Sequence, residues 1–256
     1  MPDSKYCYPN STVLINKLNI TNAEELFEAE VALTSIRLEE LELKPIEGNF
    51  DFHHLKKIHH YIFQDLYDWA GKIRTVEIGK GNLFCTTACI PAYADSVFKK
   101  YFSQCYEARN DIQKFVNIFA ENYGDLNALH PFREGNGRAQ REFARVLCMK
   151  CGYDFCLIGT THSEMLAASK LSFNAGDSSA LAAIFSHAVT PFNTDKQNDS
   201  FPLKILTADD LVISPLSNYD SYSYDEYKDT GVYTSLYKEK INKMNTQLYT
   251  KEDKQK

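Results

Sequence analysis

The sequence has no apolar run that could cross a membrane, because no stretch of it approaches the roughly 18 consecutive apolar residues that a membrane span needs. Its first residues, MPDSKYCYPNS, are polar and lack the apolar core of a secretory signal. It also lacks an excess of positive charge, since 28 Lys and Arg face 34 Asp and Glu, for a formal net charge of −6. These absences argue against membrane insertion and against nucleic-acid binding driven by bulk charge.

The seven cysteines do not suggest a disulfide framework. Their number is odd, the chain is long and no secretory signal precedes them, so reduced thiols in a cytoplasm are the simplest interpretation. Cys148 and Cys151 have the spacing of metal and redox sites, but no second such pair lies nearby, and burial on an apolar helix is favoured. The composition, 44% apolar and 24% charged, is typical of a globular protein with one large domain or two small ones.

Apolar residues recur at helical spacing through most of residues 21–190. A capping-box pattern at Thr21–Glu24 opens a first helix, which ends before Pro45. Asp51 caps a second helix, which Gly71 ends. Further helices are predicted from Pro91 onward, at 112–129, near 136–152, at 163–173 and at 178–189.

The second predicted helix carries two histidine pairs, at residues 53–54 and 59–60. Adjacent residues on a helix point about 100° apart, so neither pair forms a chelate by itself. A half-buried amphipathic helix is therefore favoured over a metal site.

Residues 72–90 differ from the helical remainder. Residues 75–78 alternate in polarity, 79–82 have turn chemistry and 83–90 can run back, which predicts a β-hairpin. A lone hairpin in a helical protein is either a lid or an exposed edge that pairs with another strand, and the alternative is a simple connector.

The composition changes near residue 195. A polar linker is followed by a segment rich in tyrosine, and we expect a first domain at 1–195 and a partly disordered, Tyr-rich extension at 196–256. The tyrosines could be phosphorylation targets, but surface aromatic residues of a weakly folded tail are favoured.

The stretch HPFREGNGRAQR, residues 130–141, holds three arginines at the start of a predicted helix. Cations are unfavourable there, because they face the positive end of the helix dipole. The Gly-Asn-Gly turn at 135–137 can direct backbone amides toward one point, and Arg138 and Arg141 share one face of the first turn. An anion such as a polyphosphate would resolve the conflict, so the stretch predicts a phosphate-binding site.

Three other side chains of this stretch suit phosphate chemistry. Glu134 could hold Mg²⁺ together with phosphate oxygens. His130 can accept a proton near neutral pH, and Phe132 is most simply a core anchor that holds the loop in register. Residues and spacing alone therefore predict nucleotide-phosphate transfer with His130 as the base.

The stretch resembles the signature of the Fic family, H-x-F-x-[D/E]-G-N-G-R-x-x-R. All of its fixed positions are present, at His130, Phe132, Glu134, Gly135, Asn136, Gly137, Arg138 and Arg141. The resemblance extends upstream to Trp69-Ala-Gly71 with Arg74 and Lys80-Gly81, and downstream to residues 172–177. It covers residues 5–192 and leaves out the remaining tail.

The resemblance implies an all-α, Fic-type helical bundle with one β-hairpin flap, plus a short, poorly defined C-terminal extension. Most Fic proteins with the full motif transfer AMP from ATP to a Tyr, Thr or Ser hydroxyl of a target protein and release pyrophosphate. The implied function is thus that of a protein adenylyltransferase, a nucleotidyltransferase that uses ATP and Mg²⁺, of the bacterial toxin or effector kind.

The resemblance also implies residue roles. His130 would deprotonate the target hydroxyl, Glu134 would hold Mg²⁺, and the flap at 74–90 would pair with an extended target segment. Arg141 would bind the γ-phosphate and Asn174 the adenosine. The implied nucleotide-binding set is Lys80, Gly81, Phe132, Arg133, Gly135, Asn136, Gly137, Arg138, Arg141 and Asn174.

Many Fic proteins are restrained by a helix that bears [S/T]-x-x-x-E-[G/N]. Three partial matches, ending at Glu25, Glu39 and Glu239, all fail at the last position. We therefore expect inhibition by a separate, antitoxin-like chain.

Several alternatives stay open. The chain could be a non-catalytic, nucleotide-binding scaffold that docks a partner through its flap, or a transferase with a different nucleotide donor. Relatives of this kind are compatible with small GTPases or topoisomerase subunits as targets. The expected location is the bacterial cytoplasm, with export into a host cell as the alternative.

Overall fold

The structure, a computed structural model, describes residues 5–80 and 82–192. These residues form seven α-helices: α1 (Ala23–Leu43), α2 (Phe52–Phe63), α3 (Ile90–Ala108), α4 (Ile112–Leu129), α5 (Asn136–Lys150), α6 (His162–Ala175) and α7 (Ser179–Ala188). They also form two small antiparallel sheets, of β1 (Gly79–Lys80) with β2 (Asn82–Leu83) and of β3 (Tyr153–Phe155) with β4 (Val189–Pro191). The predicted all-α fold with one flap hairpin is confirmed. The predicted extension at 196–256 lies outside the described residues, and the division near 195 stays a prediction.

Helices α4 and α5 lie at the centre of the bundle. Helix α4 packs against α3, α6 and α7, while α5 packs against α2 and is followed directly by β3. Aromatic rings fill the space around α4, where Phe119 contacts Phe115, Tyr101 and Phe185. The core is thus built around the two helices that flank residues 130–135, the segment that we call the motif loop.

Two helix ends differ from the predictions. The N-cap of α1 is Asn22, whose side chain accepts from the amides of Glu24 and Glu25, so the capping box predicted from Thr21 is wrong. Asp51 caps α2 as predicted, but the helix ends at Phe63 and not near Gly71. Leu66 is fully buried although it lies beyond the helix end. The apolar residues beyond Phe63, which led to the prediction of a longer helix, are therefore buried in an irregular turn.

The flap, residues 74–90, contains much less strand than predicted. Only residues 79–80 and 82–83 pair, in the register Gly79 with Leu83 and Lys80 with Asn82. Residues 87–89 form a 3₁₀ turn that leads into α3, so the expected return strand over 83–90 is wrong beyond Leu83. Beyond the paired residues, the guanidinium of Arg74 bonds to the carbonyls of Val76 and Cys85 and joins the two arms of the flap.

The β3–β4 sheet was not predicted. It pairs the segment after α5 with the segment after α7, and Phe192 donates its amide to the carbonyl of Gly152 at 2.9 Å. Both strands are three residues long, too short for the alternation that identifies a strand in a sequence.

The cysteine pair at the C-terminal end of α5 is buried, as predicted. All seven cysteines lie in the described residues and none is in a disulfide, and Cys148 and Cys151 are buried. Within the described part of the chain, no group of three or more His, Cys, Asp or Glu side chains could hold a metal ion by itself. Across those same residues, no helix is both long enough and apolar enough to span a bilayer.

Candidate active site

The motif loop joins α4 to α5 through two residues in the left-handed region. His130 is the C-cap of α4, with φ 40°, and Gly135 is the N-cap of α5, with φ 78°. The side chain of Asn136 closes the loop, because it accepts from the amide of Phe132 and donates to the carbonyl of the same residue, both at 2.8 Å. Phe132 is fully buried. The loop is thus held by its own side chains against the core.

Gly135 and Gly137 play different parts. A Cβ on Gly135 would lie 2.1 Å from the Phe63 ring, so both the backbone angle and the packing require glycine. Gly137 lies within α5 and has no positive φ, which differs from the expectation that both glycines provide unusual backbone. Because its N-cap is glycine, α5 has no side-chain cap of its own, and its first-turn amides lie at an N-terminus suited to an anion.

The imidazole of His130 has a defined tautomer. Its Nδ1 lies 3.0 Å from the carbonyl oxygen of Asn127, and a carbonyl can only accept, so Nδ1 carries the hydrogen and Nε2 is the proton acceptor. The side chain is 6% exposed. The ring of Phe84, from the flap, stacks on it with centroids 3.8 Å apart and planes 6° from parallel. This arrangement orients one nitrogen for general-base chemistry.

Glu134 and Arg138 face each other across the first turn of α5. Glu134 accepts the amide of Gly135 at 2.8 Å, and its Oε1 lies 3.6 Å from Nη2 of Arg138. The Arg138 guanidinium is 1% exposed, packs over the Phe63 ring and bonds to Glu30 at 2.5 Å. Part of the charge conflict read from the sequence is therefore resolved inside the chain, by a carboxylate of α1.

His59 lies beneath the loop and supports it. Its Nε2–H donates to the carbonyl of Glu134 at 2.9 Å, and its Nδ1 accepts the amide of Gly71 at 2.9 Å. Its ring stacks on Phe132 with centroids 3.8 Å apart. Complete burial lowers the pKa of His59 to about 3, so the imidazole is neutral in its double bonding role.

The other predicted nucleotide-binding residues are spread around the loop. Arg133 is half-buried, with its guanidinium 6.0 Å from the Tyr6 ring centroid. Arg141 is half-buried on α5, and Asn174 is exposed in the last turn of α6. Lys80 lies on β1, and Gly81 falls outside the described residues.

The flap is attached to the motif loop mainly through Arg74. This guanidinium is 1% exposed and donates from Nε to the carbonyl of His130 at 2.9 Å, in addition to its bonds within the flap. The backbones meet as well, since Arg74 donates its amide to Pro131 and Cys85 donates to Ala128. The Phe84 ring, which stacks on His130, also contacts the Phe173 ring of α6, with their centroids 5.3 Å apart.

Sequence reasoning missed Glu30, His59 and Phe84 and named Arg74 only through the resemblance. One signal was available for Glu30: it shares the apolar face of α1 with Leu26 and Thr34, where a carboxylate is unexpected. No local pattern singles out Phe84 or His59.

A histidine of fixed tautomer beside the glycine-capped N-terminus of a helix can combine proton abstraction with phosphate binding. The Fic/DOC family model matches residues 49–148. The Escherichia coli K12 protein named "Probable protein adenylyltransferase Fic" is 34% identical over 186 residues, which are 72% of this chain and 92% of that protein. The chain therefore belongs to the Fic/DOC family.

Two Bartonella proteins are also similar. The protein adenylyltransferase VbhT of Bartonella schoenbuchensis is 36% identical over 195 residues, 76% of this chain, and the chain spans only 41% of its length. The ADP-bound N-terminal Fic domain of a VirB-translocated Bep effector from Bartonella quintana has a TM-score of 0.67 at 26% identity. That match covers 75% of this chain and 98% of the solved one.

Proposed function

We propose that the protein is a protein adenylyltransferase, which transfers AMP from ATP to a Tyr, Thr or Ser hydroxyl of a target protein. The observation that carries this proposal is His130, whose Nδ1–H···O contact with Asn127 leaves Nε2 as the base at the start of the motif loop. Membership of the Fic/DOC family and the names of its relatives support the same activity.

In the proposed reaction, Nε2 of His130 takes the proton of the target hydroxyl as its oxygen attacks the α-phosphorus of ATP. A new bond forms between that oxygen and the α-phosphorus, the bond from the α-phosphorus to the bridging oxygen breaks, and pyrophosphate leaves. The Asn127 carbonyl stabilises the imidazolium through Nδ1–H, as an orienting acceptor does for a histidine base.

The N-terminus of α5 would bind the phosphates through the amides of residues 135–137. Arg133 and Arg141 flank this N-terminus and would add charge at the outer phosphates, while Asn174 would contact the adenosine. Arg138 would act from below, because its buried guanidinium contributes positive potential under the first turn. Phe132 and Asn136 would hold the loop in the shape that binding needs.

Glu134 is suited to Mg²⁺ bound together with the nucleotide. Among the described residues, it belongs to no group of three or more His, Cys, Asp or Glu side chains that could hold a metal ion without further ligands. Mg²⁺ commonly takes one or two carboxylates plus phosphate oxygens, so this donor set fits a nucleotide-dependent ion and not a resident one. Such an ion would neutralise charge that develops on the phosphates.

The flap would hold the target by strand addition. Leu83 is 62% exposed on β2, and β1 and β2 pair only with each other, so their outer edges are accessible within the described structure. Lys80 is the last residue of β1. A target segment bound there would place its hydroxyl near Phe84 and His130.

A separate, antitoxin-like chain would restrain the activity. Glu39, one of the three partial matches to the inhibitory pattern, is exposed on α1. A silent isolated protein that became active on Glu39→Gly or Glu239→Gly would overturn this part of the proposal. The protein would act in the bacterial cytoplasm or, like the translocated Bartonella effectors, in a host cell.

Two labels test the reaction. The protein is incubated with lysate and Mg²⁺, once with α-labelled and once with γ-labelled ATP, beside His130→Ala. We expect protein labelling from the α-position only, absent in the variant. Labelling from the γ-position would make the protein a kinase-like transferase and overturn the proposal.

A further inference from the structure

Among the seven glutamates of α1, Glu30 is the only buried one. It is 0% exposed and lies between two polar partners that are buried as deeply, Arg138 of α5 and Tyr67 after α2. Its Oε1 accepts from Nη2 of Arg138 at 2.5 Å, and its Oε2 accepts the hydroxyl hydrogen of Tyr67. Both carboxylate oxygens are thus engaged, so the group cannot rotate away from Arg138.

The same guanidinium nitrogen faces a second carboxylate. Nη2 of Arg138 lies 3.6 Å from Oε1 of Glu134, beyond hydrogen-bond distance, while Nη1 lies 3.3 Å from the hydroxyl of Thr34. Arg138 therefore makes its hydrogen bonds to α1 and lies only at ion-pair distance from Glu134. Charge-assisted Arg–carboxylate bonds are strong, and a buried cation that loses one carboxylate is drawn to the next.

We propose that Glu30 is a positioning residue, which holds Arg138 on the α1 side so that the Glu134 carboxylate can serve a divalent cation. This inference rests on the proposed function, since it assigns Glu134 to nucleotide-bound Mg²⁺. Without the Glu30 charge, a small rotation of Arg138 brings Nη2 into hydrogen-bond contact with Glu134. The cation would then compete with a guanidinium for the same carboxylate.

The test measures ADP affinity of the full chain by calorimetry, with and without Mg²⁺. The ratio of the two affinities is the Mg²⁺ effect. In Glu30→Gln, which keeps shape but removes charge, we expect this ratio to fall at least about 10-fold, while the Mg²⁺-free affinity stays within about 3-fold of wild type. Glu42→Gln, an exposed glutamate of the same helix, is the matched control and should change neither value.

A milder variant protects the test against misfolding. Tyr67→Phe removes only the second partner of Glu30, and it should lower the Mg²⁺ effect in the same direction by a factor of about 2 to 3. Thermal unfolding of both variants reports whether the fold is retained.

Three results would contradict the positioning role of Glu30. An unchanged Mg²⁺ effect in Glu30→Gln, an equal loss of affinity with and without Mg²⁺, or tighter Mg²⁺-ADP binding would overturn the inference, the last because it would make Glu30 inhibitory. A wild type that binds ADP with no influence of Mg²⁺ would instead remove the metal from the proposed function, and this inference with it.

Discussion

The motif loop and the flap meet at His130, but they are held in place differently. The loop is fixed from all sides: Phe132 is fully buried, the Asn136 side chain closes its backbone, and His59 supports it from below. The flap has two residue pairs of strand and depends on Arg74 for three backbone contacts. A tightly held loop therefore lies beside a flap that has fewer restraints on its backbone.

The largest expected effect separates chemistry from structure within the loop. In His130→Asn the left-handed backbone is kept, because asparagine tolerates positive φ, but the base is lost. We expect AMP transfer to fall about 10²–10⁴-fold. Label incorporation from α-labelled ATP measures this, with ADP affinity and melting temperature as controls that should stay near wild type. Substantial transfer by the variant would show that His130 is not the base.

Gly135→Ala tests how tightly the loop is packed. A left-handed backbone costs alanine roughly 1–2 kcal/mol, and the collision with Phe63 adds about 1–3 kcal/mol of overpacking. Urea unfolding should therefore show a loss of a few kcal/mol. Gly137→Ala is the matched control, because that position is helical and alanine suits a helix. Equal stability of the two variants would mean that the loop can relax around a Cβ.

Arg74→Met tests the attachment of the flap. Three backbone carbonyls lose a donor, so the flap should loosen while the motif loop stays packed. We expect faster hydrogen exchange at the amides of Phe84 and Cys85, by about 10-fold or more, and ADP affinity within about 3-fold of wild type. Arg37→Met, which removes a guanidinium paired with Asp65 away from the loop, serves as control. If hydrogen exchange at the flap amides is unchanged in Arg74→Met, contacts other than those of Arg74 hold the flap in place.

The last prediction concerns pH. The folded pKa of His59, about 3, is below its ordinary value of 6.5, so the unfolded chain binds a proton that the folded chain refuses. This contribution to stability is complete above pH 6.5 and is lost as pH falls toward 3, at up to about 1.4 kcal/mol per pH unit. The free energy of unfolding, measured with denaturant between pH 7 and pH 4, should change less steeply with pH for His59→Gln than for wild type. The exposed His53→Gln should keep the wild-type slope, and identical slopes for all three proteins would contradict the assignment.

The loop and the flap also differ in how well the sequence predicts them. The helices on either side of the loop follow from amphipathic stripes, and the N-terminus of α5 was placed correctly at Asn136. Turn chemistry in the flap predicted a hairpin, but its short strands depend on Arg74, a contact that spans 56 positions to His130 and has no local signature.

Charge networks were the least predictable feature. The arginine cluster indicated an anion, but no local pattern connected it with a carboxylate on α1, 108 positions away from Arg138. The helical face that Glu30 shares with Leu26 places a carboxylate in the core, yet it does not say which cation meets it there. Sequence patterns predict well which side chains are buried. They predict poorly which residues form ion pairs, because tertiary packing decides which charges meet.

The left-handed backbone at His130 limits which alternative bases could evolve at this position. Histidine, asparagine and aspartate populate such angles several times more often than other residues that have side chains. Of these, only histidine and aspartate can accept a proton, while glutamate and lysine would first have to offset backbone strain. Position 130 is thus an evolutionary bottleneck, at which a new catalytic group has to suit the geometry of the chain before its chemistry can be selected.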